Sequence, residues 1–318
     1  MTDNSDWIWS RFWQFDRVAS CLDGDDHANY GPAVAAGWSA FFDRVPQGGA
    51  VLDLCTGNGA IALLAVEAER DLAVTAVDRA PIDPAAHVHK FADAIARIDF
   101  RGGVSAEALP FGDASFDAAT SQYGVEYTDL DRTLAEVARV LKPGGHCRFV
   151  CHAAEGEVRA GANRVVADAN RLLVLPALAE DALANVVPVE RGQTPDPLEL
   201  AQAKRAFAAF TTALAESAVY DARDTLMRDN SVAVIREVWE RRHDYPLDAL
   251  RAKVREVGLE IQAQRGRSAA LAAAAIDAAR AAEIVAQMAA LGMTVGRVEP
   301  LGVGNHLVGH VITATRAP

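Results

Sequence analysis

The chain has little positive charge. Its 318 residues include 31 Lys and Arg against 43 Asp and Glu, a formal net charge of −12. A nucleic-acid-binding surface shows a basic face, so no nucleic-acid partner is expected. The nearest local patch, Arg236, Arg241 and Arg242, reads as a solvated helix face. Cysteine is scarce: Cys21, Cys55, Cys147 and Cys151 are the only four, and none forms a C-x-x-C pair. Cys147 and Cys151 alternate onto one face of a buried strand, with His146 and His152 beside them. They read as apolar strand residues in a reducing compartment, and no metal is expected. Long apolar runs are absent too. No stretch reaches the ~18 strongly apolar residues of a membrane span. Residues 1–6 are polar and acidic, without the basic stretch and apolar run of a secretory signal. A cytoplasmic location is the expectation.

What is present is the balance of a globular protein, with 51% hydrophobic and 23% charged residues. The most informative stretch is Val51-Leu52-Asp53-Leu54-Cys55-Thr56-Gly57-Asn58-Gly59-Ala60, followed by Ala73-Val74-Thr75-Ala76-Val77-Asp78. The first part reads as an apolar strand, a glycine turn and a helix start. The second reads as a buried strand ending in an acid. In an open parallel sheet, ligands bind at such strand ends. Gly57 and Gly59 let the backbone approach a ligand where a Cβ would collide. Free N–H groups at the helix start add polar capacity. Asp78 can accept both hydroxyls of a ribose. The spacing Gly57-x-Gly59-x-x-Ala62, with Asp78 ~20 residues on, also matches the dinucleotide fingerprint.

Strands are expected at 50–54, 74–78, within 99–105, at 116–120 and at 146–151. Helices are expected at 60–70, 84–98 and 130–141. Short apolar strands alternating with helices mean an α/β doubly wound, mostly parallel sheet. Lys142-Pro143-Gly144-Gly145 should stop the third of these helices. Trp9, Phe12 and Trp13 have helical spacing near the start. Residues 153–291 show helical stripes (Leu200, Phe207, Phe210 and Leu214; Leu247, Leu250, Val254 and Val257) and no strand alternation. Gly258 is placed as a stop and 187–197 as a loop. Two β-rich runs, 293–299 and 306–315, close the chain as an antiparallel pair. The expected organisation is a helical segment at 1–48, a cofactor-binding core at 49–152, a helical cap at 153–291 and a terminal strand pair at 292–318.

A second signature separates the cofactors. It comprises Ala106-Glu107-Ala108-Leu109-Pro110-Phe111, Ser115-Phe116-Asp117-Ala118-Ala119, Ser121-Gln122-Tyr123-Gly124-Val125-Glu126-Tyr127, and the run from Leu134 to Lys142-Pro143-Gly144-Gly145. In this order the set resembles the class I S-adenosylmethionine-dependent methyltransferases, most of all the ubiquinone and menaquinone biosynthesis branch. The resemblance covers about residues 30–151 and returns at the end. It implies a seven-stranded sheet, with the cap inserted between strands five and six, and S-adenosylmethionine as cofactor. Asp53, Gly57 and Gly59 would shape the methionine pocket, Asp78 would bind the ribose, and Ala106 and Glu107 would sit by the adenine. Ser121 and Gln122 would border the transfer site. Cys55, where the family often has glycine, and Ser105, where it often has aspartate, depart from the pattern. His152 and Glu126, just after strands five and four, are the candidate bases. Trp13, Tyr30, Tyr123 and Tyr127 are candidate substrate contacts. The expected activity is methyl transfer to a small or medium organic acceptor held under the cap, which also offers a homo-oligomer surface. Two alternatives stand beside it: a nicotinamide-dependent oxidoreductase and a non-catalytic cofactor-binding interaction protein.

Overall fold

A computed structural model describes residues 6–19, 29–219 and 225–318. Cys21 lies outside the described residues. In chain order the elements begin with α1 (Asp6–Phe12), α2 (Pro32–Phe42), β1 (Ala50–Leu54), α3 (Ala60–Glu67), β2 (Ala73–Asp78), α4 (Pro84–His87), α5 (Ala92–Ile95), β3 (Asp99–Gly102), β4 (Phe116–Gln122), α6 (Leu130–Val140) and β5 (Leu141–His152). Then come α7 (Glu157–Leu172), α8 (Val174–Glu190), α9 (Pro197–Val219), α10 (Thr225–Glu240), α11 (Leu247–Ala274), α12 (Ala278–Ala290), β6 (Met293–Val295), β7 (Glu299–Val303) and β8 (His306–Arg316). The chain forms two compact units, residues 1–160 with 270–318, and residues 161–269.

The first unit is built on a sheet ordered β3-β2-β1-β4-β5-β8-β6, with β7 also paired to β8. β1 to β5 run parallel and β8 is reversed between β5 and β6. Helices cover both faces. Trp38 and Phe42 of α2 and Ile61 and Leu63 of α3 share a core with Val51 and Val74. Leu134 and Val137 of α6 and Ile284 and Met288 of α12 share the opposite core with Leu52 and Phe149. Strands buried on both faces read as continuous apolar runs, which is why β1 and β2 were legible.

The sheet differs from the seven strands expected. The last edge is split: β6 pairs with residues 314–316 and β7 with residues 306–311 of β8. Gly296 stays tied to Thr313 between them, its N–H donating at 2.8 Å. The helix expected at 84–98 is also broken. Val88 leaves helical geometry (φ −106°, ψ 105°) to bury in the core. Strand five begins earlier than expected, because Leu141 already pairs with Phe116. Residues 142–145 then loop out before Ala118 pairs with His146. Gly144 takes φ +77° there, and Lys142 Nζ reaches Asp117 Oδ2 at 2.7 Å.

The helical insertion is shorter than the 153–291 expected. α12 belongs to the sheet unit, since Ala281, Ile284 and Met288 bury among residues of β5, β8 and α6. Asp277 caps α12 by accepting from the Arg280 N–H at 2.8 Å.

The second unit has its own core, which includes Leu172, Leu175, Leu183, Phe210, Ile235, Val254 and Ile261. Gly258 does not stop a helix. It sits buried within α11, where an added Cβ would meet Pro176 Cβ at 3.5 Å, an ordinary contact distance, so the helix runs through it without needing the glycine as a stop. Residues 187–190 are helical despite Pro188. That proline falls in the last turn of α8, and Val187 is buried. On α9 the buried face is Ala203, Ala206 and Phe210, while Leu200 and Phe207 are exposed. By length and composition, the helical run Glu157–Glu190 is apolar enough to cross a membrane, and 44% of its most apolar window is buried within the protein.

Candidate active site

The turn after β1 is built from backbone that disfavours most side chains. Cys55, Gly57 and Gly59 have φ of +52°, +55° and +87°, the left-handed region where a Cβ is penalised. The two glycines leave space for protein rings rather than open space for a ligand. A Cβ on Gly57 would sit 2.6 Å from Trp13 Cε2, and one on Gly59 would sit 2.6 Å from Phe100 Cζ. Asn58, between them, is fully buried. Its amide nitrogen donates to the carbonyls of Trp13 (3.1 Å), Phe15 (3.3 Å) and Arg17 (2.8 Å). The turn therefore anchors an N-terminal strap, residues 13–17, that follows α1.

Asp78 ends β2 beside this turn. Its Oδ2 accepts from the Gly57 N–H at 2.8 Å, and its Oδ1 accepts from the Ala80 N–H at 2.8 Å. A cleft of about 90 Å³ opens next to it, lined by Asp78, Arg79, Ser105, Ala106, Glu107 and Thr128, with Trp9, Trp13, Cys55, Tyr123 and Tyr127. Glu107 is fixed by accepting from the Asp129 N–H (2.9 Å) and by Arg132 at 3.5 Å. The Ser105 hydroxyl accepts from the Glu107 N–H at 3.2 Å, so it orders this wall.

A smaller cavity of about 20 Å³ lies against the turn, lined by Asp53, Thr56, Gln122, Tyr30, Tyr123, Cys55 and Trp13 among others. Asp53 is buried and accepts from the hydroxyls of Thr56 (2.5 Å) and Thr120 (2.7 Å). Burial pushes its carboxyl up to about 6, against the opposing pull of those two hydrogen bonds. Gln122 Oε1 accepts from Trp38 Nε1 at 2.5 Å. An indole can only donate, so this bond fixes the amide orientation. Gln122 Nε2 is left buried without a hydrogen-bond partner. Ser121 lines neither space. Its hydroxyl donates to the Leu54 carbonyl (2.9 Å) and accepts from the Val125 N–H (3.2 Å), joining the ends of β1 and β4.

Glu126 and His152 meet, but behind the cleft. Glu126 Oε1 faces His152 Nδ1 at 2.8 Å and accepts from the His152 N–H at 2.9 Å. Their side chains are 0% and 4% exposed, and neither lines the cleft or the small cavity. The Tyr123 ring, stacked on His152 at 4.1 Å between centroids, stands in front of them. Tyr123 has φ +56°. Gly309, paired with His152 across β5 and β8, lies beside it, where an added Cβ would sit 2.9 Å from the Cys151 carbonyl oxygen. Tyr127 packs edge-on to His152 and to Trp9, and Tyr30 edge-on to Tyr123. Of the four expected aromatic contacts, Trp13 and Tyr123 line both spaces, Tyr127 lines the cleft and Tyr30 the small cavity.

Trp9, Arg79, Gly124 and Thr128 line the cleft and were not singled out as site residues. Arg79 and Thr128 directly follow singled-out residues, the only signal available for them. Gly124 is needed because a Cβ would lie 2.5 Å from Cys55 Cβ. Among the described residues, no group of three or more His, Cys, Asp or Glu could hold a metal ion.

A family described as "Methyltransferase domain" matches residues 51–145. A ubiquinone/menaquinone biosynthesis C-methyltransferase of Rubrivivax gelatinosus is 39% identical over 120 residues, 36% of this chain and 44% of that protein. The Xylella fastidiosa enzyme of the same name is 33% identical over 184 residues, 54% of this chain and 71% of that protein. The chain spans less than half the length of the first two curated relatives it matches, 44% and 40%. Among solved structures, Burkholderia thailandensis 1,6-didemethyltoxoflavin-N1-methyltransferase, with bound 1,6-didemethyltoxoflavin and S-adenosylhomocysteine, is 15% identical. It has a TM-score of 0.43 and covers 90% of this chain and 77% of that one. The cleft-lining residues Cys55, Asp78, Ser105, Glu107 and Tyr123 all fall inside the matched span, and the chain belongs to the class I S-adenosylmethionine-dependent methyltransferases, in the family of the ubiquinone/menaquinone biosynthesis enzymes.

Proposed function

We propose that the chain transfers the methyl group of S-adenosylmethionine to a small or medium organic acceptor. The carrying observation is the pairing of two half-sites at the ends of β1, β2 and β4. One holds Asp78, Ala106 and Glu107 for a nucleoside. The other holds Asp53 and the unpartnered Gln122 amide nitrogen, groups that suit an ammonium and a carboxylate. The cofactor supplies an activated methyl on a sulfonium. The protein's task is then to hold, orient and exclude water, and positioning supplies most of the rate.

In this reading Asp78 accepts the ribose hydroxyls while keeping the Gly57 turn in place. Tyr30, Tyr123 and Tyr127 border the acceptor. Glu126 and His152 act from behind the cleft, by fixing Tyr123 through the ring stack. Calorimetric titration tests the proposal: S-adenosylmethionine or S-adenosylhomocysteine should bind, and NAD should not. NAD binding without either would overturn it in favour of an oxidoreductase.

A further inference from the structure

Among the described residues, Trp13, Cys55 and Tyr123 line both the cleft and the small cavity. They form the partition between the two half-sites. On the proposed function, a ligand with its nucleoside in one half and its amino acid in the other places its sulfur at this partition. The partition carries two aromatic rings and no cationic side chain. Trp13 is held there by three independent constraints: its indole lies against Gly57, Phe12 packs on it edge-on at 4.7 Å, and the Asn58 amide holds its carbonyl.

We propose that Trp13 discriminates the charged, sulfonium form of the cofactor from the spent thioether, by presenting an aromatic ring to the positive sulfur with Tyr123 as the second wall. A cation near an aromatic ring is attracted by the ring's quadrupole, most strongly by tryptophan and more when desolvated. A neutral thioether gains nothing from that term. The charge pattern at the partition agrees. The carboxylates of Asp78, Glu126 and Asp53 act on Cys55 more strongly than the opposing Arg79 guanidinium. Burial and those carboxylates hold the Cys55 thiol well above its ordinary range. A neutral thiol next to an activated methyl is a poor competing nucleophile.

The test is a pair of titrations, S-adenosylmethionine and S-adenosylhomocysteine, on the wild-type chain, Trp13→Phe and Trp13→Leu. The leucine variant should lose about 3- to 30-fold more affinity for the sulfonium than for the thioether. The phenylalanine variant should lie between it and the wild type. An equal loss for both ligands, or no loss, overturns the proposal and leaves Trp13 a packing residue. Wild-type binding of neither ligand would overturn the cofactor reading itself, and with it this inference. If melting shows that Trp13→Leu does not fold, the intermediate ratio in Trp13→Phe and the same selective loss in Tyr123→Leu decide the question.

Discussion

Replacing Asp53 by asparagine should stabilise the sheet unit at pH 7.5 and leave it nearly unchanged at pH 4. Asp53 is enclosed by β1, β4 and the glycine turn, and its carboxyl titrates at about 6 instead of 3.8. The folded state therefore holds this proton more tightly than the unfolded chain. The stability Asp53 contributes is fully present below pH 3.8, declines as pH rises, and is gone above pH 6. A difference of about two pH units corresponds to ~3 kcal/mol at 1.36 kcal/mol each. The asparagine side chain of the variant has no proton to lose. Its amide can replace one accepted hydrogen bond by a donated one, because a threonine hydroxyl does both. Asp117, Glu136 and Glu155, whose values are held low, give the opposite slope, but they do so in both proteins. The quantity to read is the difference between variant and wild type in urea unfolding at the two pH values. Tryptophan fluorescence suits the sheet unit, which holds Trp7, Trp9, Trp13 and Trp38, whereas only Trp239 lies in the helical unit. An identical pH slope in both proteins, or a variant less stable at pH 7.5, would refute the reasoning.

Asp78→Ala removes the acceptor of the Gly57 and Ala80 N–H groups and the proposed ribose partner, so calorimetry should show cofactor affinity reduced about ten- to a hundred-fold, on the scale of hydrogen bonds to charged groups. Gly57→Ala adds a left-handed penalty of roughly 1–2 kcal/mol and an overlap with the Trp13 indole. It should lower the melting temperature and shift the tryptophan emission, and an unchanged spectrum would mean the indole does not rest there. Glu126→Gln keeps an oxygen acceptor for the His152 N–H. Turnover at saturating cofactor should stay within about tenfold of wild type, and a loss of ~10²–10⁴-fold would restore Glu126 as a base.

Much of the fold was legible because it depends on local pattern. β1 is bounded where its apolar run ends, and β2, β3 and β8 fall within a residue or two of the expected ranges. β1 and β2 are short, largely buried runs closed by a turn or an acid, and such runs are specified by their own residues. The Asp78 position was legible for the same reason, since the end of a strand after a glycine turn faces the ligand crevice. The extent of the helical unit was not. Residues 278–290 look like any alanine-rich amphipathic helix, and only packing against α6, β6 and β8 assigns them to the sheet unit. Gly258 looked like a helix stop, yet α11 continues through it to Ala274 with Gly258 buried.

The sequence by itself determined the parallel sheet, its order of strands and helices, and the carboxylates and glycines at the strand ends. Hydrophobic periodicity and turn chemistry act over a few residues, and those residues carry them. Only the tertiary structure decided what those positions face. Gly57 makes room for an indole that comes from 44 residues earlier, and Asn58 holds the strap that delivers it. Glu126 and His152 lie where strand ends meet the crevice, yet both turn inward behind Tyr123. The direction of a side chain past the last ladder bond depends on which neighbour packs against it. That neighbour here is the Tyr123 ring, just past the end of β4 and stacked on His152 at the end of β5.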